Sequence, residues 1–148
     1  MAALKKIKNG LLACFLLVNC SFLSAQKDDV SEYQVKAVFL FNFTQFVEWP
    51  VTSFSTDKSS FVIGIAGDNP FGTYLEEVVS GEKVNNHPIK VEYYKTLSEI
   101  KSCHILFINK SDKSDPADVI SQVKGKSVLT VSDATYFLQQ GGMIRFYL

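Results

Sequence analysis

The densest apolar pattern in the chain lies between Glu32 and Trp49, where five large aromatics fall from Phe39 to Trp49. Drawn at 100° per residue, Val35, Val38, Phe39, Phe43, Phe46 and Trp49 make one broad stripe, with Asn42 near its middle. Phe41 falls elsewhere, beside Thr44, Gln45 and Glu48 on the polar side. A strand is excluded, because Val38, Phe39, Leu40 and Phe41 break any alternation. The pattern predicts a helix that starts near Glu32, where Ser31 and Gln34 have capping-box spacing. It should stop at Trp49, because Pro50 disfavours helical geometry at the residue before it. The stripe is expected in the core, with Phe46 among its anchors and Phe41 on the surface. Asn42, Gln45 and Glu48 are too polar and too close together for a membrane span.

Beyond a polar loop the period changes. "FVIGIAG" is a β-rich run ending at glycine. "NPFGTYLEEVVSG" offers Asn69 as N-cap, Pro70 at the first helical position and Gly81 as a stop. "PIKVEYY" alternates as a strand does, and Asn85-Asn86 before it suits the positive φ of a tight hairpin. A helical turn around Leu97–Ile100 leads to "CHILFIN", a continuous apolar run typical of a buried parallel strand. "DPADVISQVKG" opens on Asp-Pro and ends on glycine like a helix. "SVLTVSD" reads as a further buried strand, "ATYFLQQGG" as a short helix and "MIRFYL" as a last strand. Strands alternating with helices predict an α/β three-layer sandwich, Rossmann- or flavodoxin-like, with a mostly parallel sheet of about five strands.

The first residues stand apart. Lys5, Lys6 and Lys8, the apolar run "LLACFLLVNCSFL" and the small residue Ala25 before a polar stretch describe a secretory signal peptide, residues 1–25. "LVNC" offers a rival, a lipobox that would lipidate Cys20. The rest, 26–148, suits one domain. Taking three leader lysines from the fifteen basic residues leaves twelve against fifteen acids, a net of −3. Such a balance gives no reason to expect nucleic acid. Cys103 is then the one cysteine left, which excludes an intramolecular disulfide. Export also separates the domain from cytoplasmic ATP and NAD.

The chemical motifs are weak. "KGKS" ends like a phosphate loop, but Ile120 stands where the first glycine belongs and the strand and helix are in the wrong order. Gly125 reads instead as a helix C-cap. Gly64, Gly67 and Gly72 miss dinucleotide spacing. Cys103 and His104 point to opposite faces of a strand and cannot share a ligand, and with His87 the only other histidine a zinc site has little support. Asp68 and Asp133 each end a strand on the sheet's carboxyl edge, where ligands bind in such folds. They could be an acid–base pair, or helix-capping residues. With Asn69 and Asn109 they define a possible ligand edge. No metal and no cofactor is expected.

"YQVKAVFLFNFTQFVEWP" resembles the opening helix of the YfiR-like family of bacterial periplasmic proteins. "GDNPFG", "KVNNHPIKV", "CHILFI", "LTVSD" and "GGMIRF" follow in that family's order, so the resemblance covers about residues 31–146. It implies a non-enzymatic regulator that restrains the sensor part of a membrane-bound diguanylate cyclase and lowers cyclic-di-GMP signalling and biofilm formation. Dimerisation and redox sensitivity are associated with the family. Members often pair the cysteine of the "CHILF" strand with one in the first strand; "FVIGIAG" has none, so the resemblance carries a possible redox role to Cys103 but no disulfide partner for it. Members also continue past "GGMIRF" into a further strand and helix, which the domain is expected to lack. The resemblance thus implies an exported regulator whose partner is the periplasmic segment of a membrane signalling protein. Phe41, Glu48 and Trp49 are the candidate interface residues, for that partner or for a homodimer. The alternatives are a small-ligand receptor at Asp68, Asn69, Asn109 and Asp133, and a hydrolase using Asp68 and Asp133.

Overall fold

The structure is a computed structural model that describes residues 25–109 and 115–147; the leader and Cys20 lie outside them. The chain divides after Glu32, and the sheet belongs to the part that follows. Among the described residues the first element is the long helix α1, Ala25–Phe46. It begins ahead of the expected cap at Ser31 and ends three residues short of Trp49. It is followed by a short 3-10 turn, Val51–Ser53, then β1 (Phe61–Ala66), α2 (Tyr74–Val79), β2 (Lys83–Val84) and β3 (His87–Tyr94). A second 3-10 turn at Leu97–Glu99 precedes β4 (Ile105–Ile108), α3 (Pro116–Val123), β5 (Leu129–Ser132) and β6 (Ile144–Arg145).

The six strands form one sheet in the order β2-β3-β1-β4-β5-β6. Only β2 runs antiparallel, joined to β3 by a turn in which Asn85 and Asn86 have φ of 48° and 69°. Leaving that hairpin aside, the order is that of a flavodoxin-like sheet, with the reversal between β1 and β4. Both faces are covered, so the central strands are apolar throughout, and every residue of β1 and β4 is buried. One face packs Phe61, Ile63, Ile65, Ile105 and Phe107 under α1 and α2. The other packs Val62, Leu106 and Ile108 under α3 and the turn that carries Phe137.

Two local readings change. The helix after β1 starts at Tyr74, not at Pro70, because the Asn69 side chain is spent on a turn: it accepts from the Phe71 N–H (2.9 Å) and donates to the Gly72 carbonyl (2.8 Å). The stretch "ATYFLQQGG" forms hydrogen-bonded turns, in which Phe137 and Gly141 donate to the carbonyls of Ala134 and Leu138. A single turn followed by two glycines is too short to meet the cost of helix nucleation.

Candidate functional site

The orientation of α1 decides what the domain offers a partner, and it departs from the stripe reading at Val35, Val38, Phe39 and Phe46, while Phe43 and Trp49 pack against the core cluster as expected. The inward row is Lys36, Ala37, Leu40 and Thr44, all buried. Phe41, expected outside, packs against the core cluster. Phe46, expected as a core anchor, is 80% exposed, and Val35, Val38 and Phe39 are exposed with it. The physical cause is Lys36. It is 2% exposed and pairs with Asp133 at 2.6 Å. Tyr33 donates its hydroxyl to the same carboxylate oxygen at 3.1 Å, and its ring lies under the Lys36 ammonium at 4.3 Å. A long-range ion pair with this much desolvation fixes one face inward, although other residues of the helix are more apolar.

The outward face is aromatic and continuous with the sheet edge. Exposed Phe39 and half-buried Phe43, which also packs against the core cluster, both meet Phe146, at ring distances of 6.1 and 6.2 Å, the second stacked. Tyr147 beyond it is exposed and carries the Arg145 guanidinium over its ring at 4.0 Å. A monomer seldom shows a clustered apolar face without a use for it. Of the other two interface residues expected from the sequence, Glu48 is exposed, two residues past the end of α1. Trp49 is half-buried and turns inward, edge-on to Phe61 and His104 at 5.1 and 5.8 Å.

The carboxyl edge is polar but largely satisfied. Asn109 donates to the Asp68 carbonyl at 2.8 Å, which ties the ends of β4 and β1 together where the strand order reverses. The Asp68 side chain is exposed. Asp133, two strands away, is held by α1 rather than capping a helix; Ser132 Oγ accepts from Ala134 N–H instead. With strands about 4.8 Å apart, the ends of β1 and β5 stand roughly 10 Å apart, and no hydrogen bond joins the two carboxylates among the described residues. The cavity beside Asn109 measures about 10 Å³, room for one water. A larger cavity of about 270 Å³ lies away from this edge, between α3 and the turn before β6, with an apolar floor of Ile120, Val123 and Val128 and with Lys124 and Lys126 at its rim. Its buried hydroxyl, Thr130 Oγ1, accepts from the Met143 N–H.

Cys103 is buried, and burial followed by the nearby Glu92 carboxylate pushes its thiol up to about 12. At neutral pH it holds no thiolate, the species that reacts. No helix among the described residues is long and apolar enough to cross a membrane, and no three metal-ligating side chains gather among them.

Residue order alone missed a further cluster at the sheet's amino edge. Phe54 stacks on His87 at 3.8 Å and lies 4.6 Å from His104, which in turn stacks on Phe61 at 4.5 Å. The signal for it was only that His87 begins β3 and His104 immediately precedes β4, since Phe54 belongs to a segment with no periodicity.

Against known proteins, the family model described as DUF4154, YfiR/HmsC-like, matches residues 33–148. Nothing among curated proteins matches the chain.

Proposed function

The chain belongs to the YfiR/HmsC-like family, and from that premise we propose that it is an exported regulator that restrains a membrane-bound diguanylate cyclase by binding the cyclase's periplasmic segment. YfiR/HmsC-like proteins are known in periplasmic regulation of such cyclases. The observation that carries the reading within this chain is the outward aromatic face of α1, with Val35, Val38, Phe39 and Phe46 exposed. Interfaces draw most of their energy from a few such aromatics. Glu48, exposed two residues past the end of α1, supplies a charge that would steer encounter more than add affinity. Phe41 and Trp49 act from beneath, holding the helix and its end against the sheet. The same surface could pair two copies, which would make the regulator a homodimer when free.

This reading needs no turnover. Asp133 is engaged by Lys36 and Tyr33, and the cavity beside Asn109 has room for one water. Deleting the gene should raise cyclic-di-GMP in the native cell, and restoring the wild-type protein should lower it again. Unchanged cyclic-di-GMP after deletion would refute the proposal, as would complementation by a form retained in the cytoplasm.

A further inference from the structure

We propose that the histidine–aromatic stack at the amino edge of the sheet is an acid-released latch on the segment that follows α1. His104 is enclosed by Phe61 and Phe54 and takes the edge of Trp49. Its Nδ1 accepts the Val62 N–H at 3.1 Å, so the ring proton sits on Nε2. The ring is therefore neutral and fixed in one tautomer. A second proton would have to enter at Nδ1, against an N–H that already points there. It would also place a charge among apolar rings. The ring can accept that proton only by leaving the stack.

His87 holds the other end of the same segment. It donates through Nδ1 to the Ser59 carbonyl at 2.6 Å while its face covers Phe54. Trp49, Phe54 and Ser59 are thus pinned by two imidazoles, and little else in the segment is buried. The 3-10 turn Val51–Ser53 has no buried residue. Glu48, Asp57 and Lys58, the charged side chains of this stretch, are not buried, and neither ring bonds to them. On the strands packed against His104, Phe61 and Val62 of β1 and Leu129 of β5 bring no charge. His87 is the one titratable side chain seen to act on it.

The latch also has a bias toward release. Trp49 Nε1 and Ser53 Oγ are buried and make no hydrogen bond among the described residues, and His104 Nε2 has only the Ser53 backbone acting on it. Opening would give Trp49 Nε1 and Ser53 Oγ to water and remove the desolvation cost of each. The closed state is held by ring packing and by the Val62 bond, and that bond needs Nδ1 unprotonated.

Burial, followed by the proximity of His87, holds the His104 titration below its usual 6.5, with the backbone of Ser53 opposing only in part. A folded pKa below the unfolded one means that the neutral ring's contribution is complete above about 6.5. It is lost as pH falls through the lower folded value. The latch is closed at neutral pH and opens in mild acid. An exported protein meets such conditions directly. If the outward face of α1 is the partner surface, opening loosens its end at Phe46 and Glu48. These two consequences rest on the proposed function; the latch itself does not.

Trp49 is the only tryptophan and there are only two histidines, so the purified protein reports on itself. Between pH 7.5 and 5.0 its emission should shift reversibly to the red, with a midpoint below 6.5 and helical circular dichroism unchanged. The Trp49 indole N–H resonance should move together with the ring signals of His104. His104→Asn supplies Oδ1 as an acceptor for the Val62 N–H but cannot titrate, and should abolish the red shift. Constant wild-type emission over this range would overturn the latch, as would an equal shift with the same midpoint in His104→Asn. Should that variant prove unfolded at pH 7.5, the wild-type resonances decide, and a Trp49 signal that follows neither histidine overturns the proposal.

Discussion

Replacing Phe46 by Ala should leave the fold almost untouched, although its place in the apolar stripe makes it one of the most costly changes by pattern alone. Full burial of a phenylalanine is worth about 1.5–3 kcal/mol. Phe46 is 80% exposed, so only about a fifth of that, roughly 0.3–0.6 kcal/mol, is at stake. The better helix propensity of alanine offsets part of it. Leu40 is the control, because it is fully buried between α1 and the sheet. Leu40→Ala removes three buried carbons at about 0.8 kcal/mol each and leaves a cavity, for a loss of about 2.5–5 kcal/mol. At roughly 4 °C per kcal/mol for a domain of this size, Leu40→Ala should lower Tm by about 10–20 °C and Phe46→Ala by about 2 °C or less. Urea unfolding of the two variants gives the same comparison without heating. A loss of more than about 2 kcal/mol on Phe46→Ala with little loss on Leu40→Ala would mean that the helix is turned the other way, and the proposed surface would vanish with it.

Other consequences can be read by the same unfolding measurements. A Cβ on Gly64 would lie 2.5 Å from the Tyr94 ring and 3.1 Å from Leu106, so Gly64→Ala in this central strand should cost about 1–3 kcal/mol; an unchanged urea midpoint would show that the ring yields freely. Asp133→Ala takes the carboxylate from the buried Lys36 and should cost roughly 3 kcal/mol, with little relief from added salt; a loss under about 0.5 kcal/mol would show that the pair does not orient α1. Cys103, with its thiol pushed up to about 12 by burial, should react with a thiol reagent at pH 8 far more slowly in the folded protein than in urea; equal rates would contradict its burial.

The sheet was legible in the sequence because its strands are buried on both faces. "FVIGIA" and "ILFI" could hardly be anything else between turn signals, and the Asn85-Asn86 pair announced its own hairpin. Asp115 likewise capped α3 as its Asp-Pro pattern implied, accepting from the Ala117 N–H. The facing of α1 was not legible, because apolar residues surround that helix and periodicity gives no direction when both faces qualify. What chose the face was a lysine meeting an aspartate 97 residues away, and no local pattern encodes that meeting. Asn69 misled for a related reason: one side chain can cap a helix or close a turn, and backbone geometry selects between them. The amino-edge stack was hidden because its rings come from separate strands and an irregular segment, brought together only by the register of β1, β3 and β4.

Regulation by the outward face of α1 requires that this face bind the periplasmic segment of a membrane-bound cyclase. The affinity of the purified domain for that segment, taken from a membrane-bound cyclase of the same cell, can be measured by calorimetry, with Phe39→Ser and Phe46→Ser compared against the wild type. Aromatic anchors of an interface are worth 2 kcal/mol or more, so each substitution should weaken binding by about thirtyfold or more, with the urea midpoint of Phe46→Ser unchanged. Wild-type binding that survives both substitutions within twofold would contradict the proposed role, because the surface that the fold leaves exposed would then not be the surface the partner uses.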